Sequence, residues 1–223
     1  STDSGTFVAC PTNICTEDVY SGTTFRFNVT GWTSYSQRET GVTTVTACGT
    51  ISSPGRYVLL NSVTSTNGCF IISSDDVSFD CANFAVTHAT STSGVGFLVY
   101  DRINVTIANC TITNGGATTD ADNLRIGRTN FSRFQNLTLN SDGSVGQGFR
   151  IENQSNFNII EDSVVVANVS QPVWLTYSQN NNFTNNRFSV AAASSSTPII
   201  FDNSSDNNTF RNNTYTGTSG SAL

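Results

Sequence analysis

The chain of 223 residues has no Lys, no Met, a single His and only four Pro, and just 12% of its residues are charged, about half the usual share of ~25%. Each shortage excludes something. A net charge of −6, carried without Lys or any basic cluster, excludes a nucleic-acid face, because phosphate recognition requires patches of Lys or Arg. No apolar run approaches the ~20 residues of a membrane helix. No secretory leader is visible: the chain is either the mature part of an exported protein or one made without a leader, and a surface of hydroxyls and amides rather than charges favours the first. No stretch of a dozen residues repeats its apolar positions every 3.6 residues, which argues against helical layers. Asn-Gly and Asp-Gly turns are too scarce for a sandwich of hairpins. With one His and no Cys-x-x-Cys, neither a zinc site nor a cofactor is expected.

What the chain does contain is a repeated phrase: apolar, any, usually Asn, any, any, apolar. The copies are Phe79-Asp80-Cys81-Ala82-Asn83-Phe84, Ile107-Ala108-Asn109-Cys110-Thr111-Ile112 and Phe134-Gln135-Asn136-Leu137-Thr138-Leu139. They continue as Ile159-Ile160-Glu161-Asp162-Ser163-Val164, Phe183-Thr184-Asn185-Asn186-Arg187-Phe188 and Phe210-Arg211-Asn212-Asn213-Thr214-Tyr215. Successive copies start 24 to 28 residues apart. Such a period marks one unit stacked on its neighbours, each too small to bury its own apolar face. A short apolar run precedes each copy, as in Cys69-Phe70-Ile71-Ile72 or Val173-Trp174-Leu175. Val77 with Phe79, and Val105 with Ile107, alternate with polar residues at strand periodicity. Coils of two or three short strands, stacked ~4.8 Å apart in parallel, give a solenoid with a filled interior.

The third position of the phrase is expected at a bend between strands, where Asn tolerates left-handed backbone angles. Its amide then bonds the amide one coil above. Asn109, Asn136, Asn185 and Asn212 are the expected rungs of this interior ladder, with Glu161 and Cys81 as departures. Residues 1–47 lie outside the repeat and read as an N-terminal β extension, with strands at Thr24–Val29 and Val42–Thr46. Residues 48–217 form the solenoid and 218–223 a tail. The extension has no core of its own, so it is expected to cap the first coil or to pair with a neighbouring subunit.

Six cysteines, an even number, point to disulfides and an oxidising compartment. Fifteen connectivities are possible. Register favours Cys10 with Cys15, Cys48 with Cys69 and Cys81 with Cys110, the last two pairs each one coil apart. Eleven Asn-x-Ser/Thr sequons suggest glycosylation, although Asn, Ser and Thr are abundant enough for chance to supply many of them. Asn28, Asn104, Asn130, Asn153, Asn168, Asn182, Asn203 and Asn207 are the candidate acceptors. Asn109, Asn136 and Asn212 belong to the ladder and are expected to stay bare, since an interior amide cannot carry a sugar.

The segments Cys48-Gly49-Thr50-Ile51-Ser52-Ser53-Pro54-Gly55-Arg56-Tyr57-Val58-Leu59-Leu60 and Ile71-Ile72-Ser73-Ser74-Asp75-Asp76-Val77-Ser78-Phe79-Asp80-Cys81 resemble coils of right-handed parallel β-helix proteins. The resemblance, over residues 48 to 217, is to the pectin-lyase-like superfamily, nearest its NosD-like repeats of microbial and archaeal cell-surface proteins. It implies an all-β, right-handed parallel β-helix of about six to seven coils with the N-terminal β extension. For function it implies little, because the fold carries lyases, hydrolases, adhesins and structural walls.

Hydrolases of this fold use clustered Asp residues, and its lyases use an Arg or Lys base near calcium-binding Asp residues. The acids to consider are Asp75 and Asp76, Asp101 beside Arg102, Asp120, Asp122, and Glu161 at a ladder position. Asp75 and Asp76 read as turn residues. The Gly-His-Gly and Arg-Ile-Lys segments of the hydrolases are absent, and His88 reads as a lone surface or turn imidazole. No catalytic residue is therefore assigned. Trp32, Tyr35, Tyr100, Trp174 and Tyr177 are the aromatic side chains available as carbohydrate platforms. The leading expectation is a secreted, glycosylated structural subunit, extracellular or on a cell surface. It self-associates through the solenoid ends and the N-terminal extension into a filament or sheath. A carbohydrate-binding or adhesive module is the alternative, and a polysaccharide lyase or hydrolase a more distant one.

Overall fold

In the computed structural model the described residues are 15–21, 24–29, 41–116, 121–141, 146–168, 171–190, 198–202 and 204–217. The chain divides into two units, residues 1–40 and 41–223. In the first, β1 (Cys15–Ser21) and β2 (Thr24–Val29) pair antiparallel, with an irregularity between Glu17 and Val19.

The second unit opens with β3 (Val42–Val45) and then runs through seven coils of three strands each. The first coil is β4 (Gly49–Ile51), β5 (Gly55–Leu59) and β6 (Val63–Thr64), and the second is β7 (Phe70–Ile72), β8 (Val77–Asp80) and β9 (Ala85–His88). The third is β10 (Phe97–Tyr100), β11 (Thr106–Ala108) and β12 (Thr111–Asn114), and the fourth β13 (Leu124–Gly127), β14 (Arg133–Gln135) and β15 (Thr138–Ser141). The fifth is β16 (Phe149–Glu152), β17 (Ile159–Glu161) and β18 (Val164–Ala167), and the sixth β19 (Val173–Thr176), β20 (Asn182–Thr184) and β21 (Arg187–Val190). The seventh is β22 (Ile199–Asp202), β23 (Thr209–Arg211) and β24 (Thr214–Thr216). Corresponding strands of successive coils pair in parallel and build three sheets, the first from β4 to β22, the second from β3 and β5 to β23, and the third from β6 to β24. Val42–Val45, placed outside the repeat by its sequence, pairs in register with Arg56–Leu59 and is the first strand of the second sheet.

Three columns of inward side chains fill the interior. The first sheet supplies Phe70, Phe97, Leu124, Phe149, Val173 and Ile199, each opposite the next in register. The second supplies Tyr57, Phe79, Ile107, Phe134, Ile160, Phe183 and Phe210, and the third Val63, Val86, Ile112, Leu139, Val165, Phe188 and Tyr215. Rings meet both along and across the columns, with the Phe70 centroid 4.8 Å from those of both Phe97 in its own column and Phe79 in the next. Burying each such side chain contributes about 1.5–3 kcal/mol. The solenoid is held by this continuous core and by the ladders along its axis.

Between the second and third sheets the third to seventh coils turn through one residue in the left-handed region: Asn109 (φ 56°), Asn136 (50°), Asp162 (51°), Asn185 (58°) and Asn212 (53°). Asn136 Nδ2 donates to Asn109 Oδ1 at 2.7 Å, Asn109 Nδ2 to Asp80 at 2.9 Å and Asn185 Nδ2 to Asp162 at 3.1 Å. Glu161 is not a rung: pairing sets Ile160 opposite Phe134 and Phe183, so Asp162 occupies the bend. Glu161 lies beside Gln135 and pairs instead with Arg133. Nor is this ladder interior, because Asn136, Asp162, Asn185 and Asn212 are exposed and Asn109 is half-buried. Burial therefore supplies no reason for Asn109, Asn136 and Asn212 to stay bare.

The interior polar ladders sit elsewhere. Asn158, Asn181 and Asn208 stack between the first two sheets: Asn158 Nδ2 donates to Asn181 Oδ1 at 3.1 Å and Asn181 Nδ2 to Asn208 Oδ1 at 3.0 Å. Their amides also bond the main chain of the coil below, at Thr129, Ser155 and Ser178. Ser163, Asn186 and Asn213 do the same work between the second and third sheets. Each of the bonds to the main chain satisfies a group that a tight turn would otherwise bury unpaired.

Disulfides join Cys48 to Cys69 and Cys81 to Cys110, with Cα separations of 4.6 and 4.9 Å, one coil step in each case. Cys10 lies outside the described residues, and Cys15 is described only as backbone within β1.

Candidate functional site

The acids singled out in the sequence are engaged by the next coil. Asp76 (φ 55°) accepts from Asn104 Nδ2 at 2.7 Å, and Asp75 accepts from the Ile103 amide at 3.0 Å with Arg102 3.7 Å away. Asp101 forms a two-point ion pair with Arg128, whose hydrogen bond holds the carboxyl below the usual carboxylate range. The same guanidinium lies 4.6 Å above the Tyr100 ring. Asp120 lies outside the described residues. His88 is not on the surface: it is fully buried, with Nδ1 3.0 Å from Gly94 O and Nε2 2.9 Å from Asn123 Oδ1. Burial pulls its pKa below the ordinary value. Among the described residues no group of three His, Cys, Asp or Glu could hold a metal.

The outward face of the first sheet carries Leu98, Arg125, Arg150 and Trp174 in one register column. Arg125 Nε lies 3.5 Å from Asp122 and 3.4 Å from Glu152, and Arg150 Nε donates to Glu152 at 2.7 Å. The Arg150 guanidinium sits 4.8 Å over the Trp174 ring. Two cations and two carboxylates thus close on each other, and Trp174 gives one ring face to Arg150 rather than to a ligand. Tyr177, by contrast, is exposed in a left-handed turn. Trp32 and Tyr35 lie outside the described residues.

A second outward feature was not foreseen. At the end of the turn between the first and second sheets, six successive coils place a left-handed residue at the same point: Asp76, Asn104, Phe131, Phe157, Asn180 and Asn207. Four are the Asn or Asp that this backbone favours. Two are Phe, where a bulky side chain is an outlier. Phe131 and Phe157 are 64% and 51% exposed and stack on each other, centroids 5.2 Å apart and 5° from parallel. They line a cleft of about 340 Å³ with Asn104, Thr106, Ser132, Arg133 and Ile159. The sequence signal was available: an aromatic residue stands where the period places Asn.

The candidate acceptors Asn104, Asn153, Asn182 and Asn207 are exposed, and Asn130 and Asn168 are half-buried. Asn28 is described only as backbone and Asn203 lies outside the described residues.

Stacked parallel coils, three sheets, axial amide ladders and a continuous aromatic core define the class: a parallel β-solenoid. Residues 36–219 match the model of the right handed beta helix region, and the chain belongs to that family. No curated protein matches it in sequence. Among solved structures it is similar to a double mutant of the periplasmic alginate epimerase AlgG, at 13% identity and a TM-score of 0.41, covering 71% of this chain and 60% of that one. No helix among the described residues is long and apolar enough to cross a membrane. The two disulfides point to folding in an oxidising compartment, extracellular or periplasmic.

Proposed function

We propose that this chain is a secreted, glycosylated structural subunit that stacks end to end through its coils into an extracellular filament or sheath. One observation carries the proposal. At the last described coil, β22, β23 and β24 are the edge strands of all three sheets. The apolar column there is uncapped among the described residues, with Phe201 43% exposed and Phe210 and Tyr215 half-exposed on Phe183 and Phe188. A parallel edge is a template for another strand. The ladders extend the template, since Val105, Thr129 and Leu137 each donate their amide to a side-chain oxygen one coil further on. By the same pattern Ser205, Asn208 and Asn213 direct theirs toward the next coil, and a second copy presents one. Head-to-tail contacts of this kind give open fibres when the rotation does not close.

The acids are read as structural on this proposal, so no release of reducing or unsaturated sugars from polysaccharides is expected. The deciding measurement is light scattering with negative-stain microscopy over a concentration series. Regular fibres lost in Phe210→Asp support the proposal; a monodisperse monomer at every concentration overturns it.

A further inference from the structure

We infer that the cleft at Phe131 and Phe157 is the seat of the chain's own N-linked sugar, attached at Asn104. The inference rests on the reading of this protein as glycosylated and goes beyond it, naming which acceptor is held and by what. Asn104 and Thr106, the two sequon residues, both line the cleft, while Val105 between them is fully buried. The acceptor amide is therefore presented at a turn, one coil below Phe131 in the same left-handed column. Phe157 covers one face of the Phe131 ring, and Asn104 of the coil below lines the same cleft. That spacing, ~4.8 Å per coil, suits a sugar ring laid with its C–H face against the aromatic face, the stacking geometry by which π-systems take apolar or weakly polarised partners.

The covalent step leaves the existing contacts intact. The Nδ2–C1 bond forms as the C1–O bond to the phosphate of a lipid-linked sugar donor breaks, the phosphate keeping the electron pair and taking up the one proton that Nδ2 loses. The remaining N–H still donates to Asp76, its partner at 2.7 Å. Arg133, ion-paired with Glu161, adds a polar group at the cleft wall for the sugar hydroxyls. The occupant also accounts for the two Phe residues. Uncovered, they spend left-handed backbone strain on exposed rings, where Asn serves in the neighbouring coils; covered by a sugar, the rings are buried.

The test is a thermal cycle on the full chain produced in an N-glycosylating host. Peptide mass spectrometry first measures occupancy at Asn104. Thr106→Ala removes the acceptor signal, Thr106→Ser retains it, and Phe157→Asn restores the residue type of the neighbouring coils without creating a new sequon. The expected result is an occupied Asn104, sugar ring protons shifted upfield by the Phe rings, and a Tm lowered by about 2–4 °C by Phe157→Asn in the glycosylated protein. In the Thr106→Ala background the same substitution leaves Tm unchanged or raises it. An unoccupied Asn104 overturns the inference together with the glycosylation reading at this site. Occupancy with an equal effect of Phe157→Asn in both backgrounds overturns only the seating, and leaves glycosylation standing.

Discussion

Asn185 and Asn186 are neighbours with opposite surroundings. Asn185 is exposed at φ 58° and donates to Asp162, whereas Asn186 is buried, accepts the Ser163 amide and donates to Ile160 O. Replacing Asn186 with Ala strands two buried main-chain groups and is expected to cost about 2–4 kcal/mol. Replacing Asn185 with Ala removes a backbone preference and costs about 1 kcal/mol. Urea unfolding of the two variants ranks them, and equal losses would show that the interior ladder adds nothing. His88 gives a pH signature at the same scale. Its folded pKa lies below the unfolded value of about 6.5, so the unfolded chain binds the extra proton and the stability it contributes is lost as pH falls below that value. Wild type is expected to lose more Tm between pH 7.5 and 5 than His88→Gln, and parallel pH profiles would remove the effect. Gly94 O and Asn123 Oδ1 are both acceptors, and a neutral ring donates from one nitrogen only, so the neutral ring donates to one of the two at a time.

At the scale of elements, a coil is meaningful only against its neighbours. The disulfides Cys48–Cys69 and Cys81–Cys110 close sequence separations of 21 and 29 residues, and each contributes about 3 kcal/mol by restricting the unfolded chain. Because stacked repeats couple mainly to adjacent repeats, the loss on reduction should be local. Hydrogen exchange after reduction is expected to quicken in β4 to β12 and to change little in β19 to β21; uniform quickening would mean that the stack opens as one unit. The one-residue slip at Glu161 belongs to this scale too. Ile159 and Ile160 are both apolar and adjacent, so the phrase can be aligned on either. Packing chooses Ile160 for the core and leaves Ile159 at the cleft wall.

For the molecule as a whole, the question is what covers the last described coil. A solenoid propagates its own template, and Phe201, Phe210 and Tyr215 leave apolar surface at the last described coil. On the proposed end-to-end stacking, Phe210→Asp is expected to abolish fibre formation while leaving the circular dichroism of the β-solenoid unchanged, since Phe210 is only half-buried. Loss of the fold in that variant would instead make Phe210 a core residue of the single chain.

The parallel solenoid, its period and the two described disulfide pairs were legible in the amino-acid sequence, because each depends on spacing along the chain, and spacing is what a repeat preserves. Which amides face inward was not legible: Asn158, Asn181 and Asn186 differ from Asn185 or Asn212 only in the direction the turn sends their side chains. The burial of His88 and the meeting of Phe131 with Phe157 were decided in the same way. They depend on contacts between coils, and a contact across the stack leaves no mark on either residue alone.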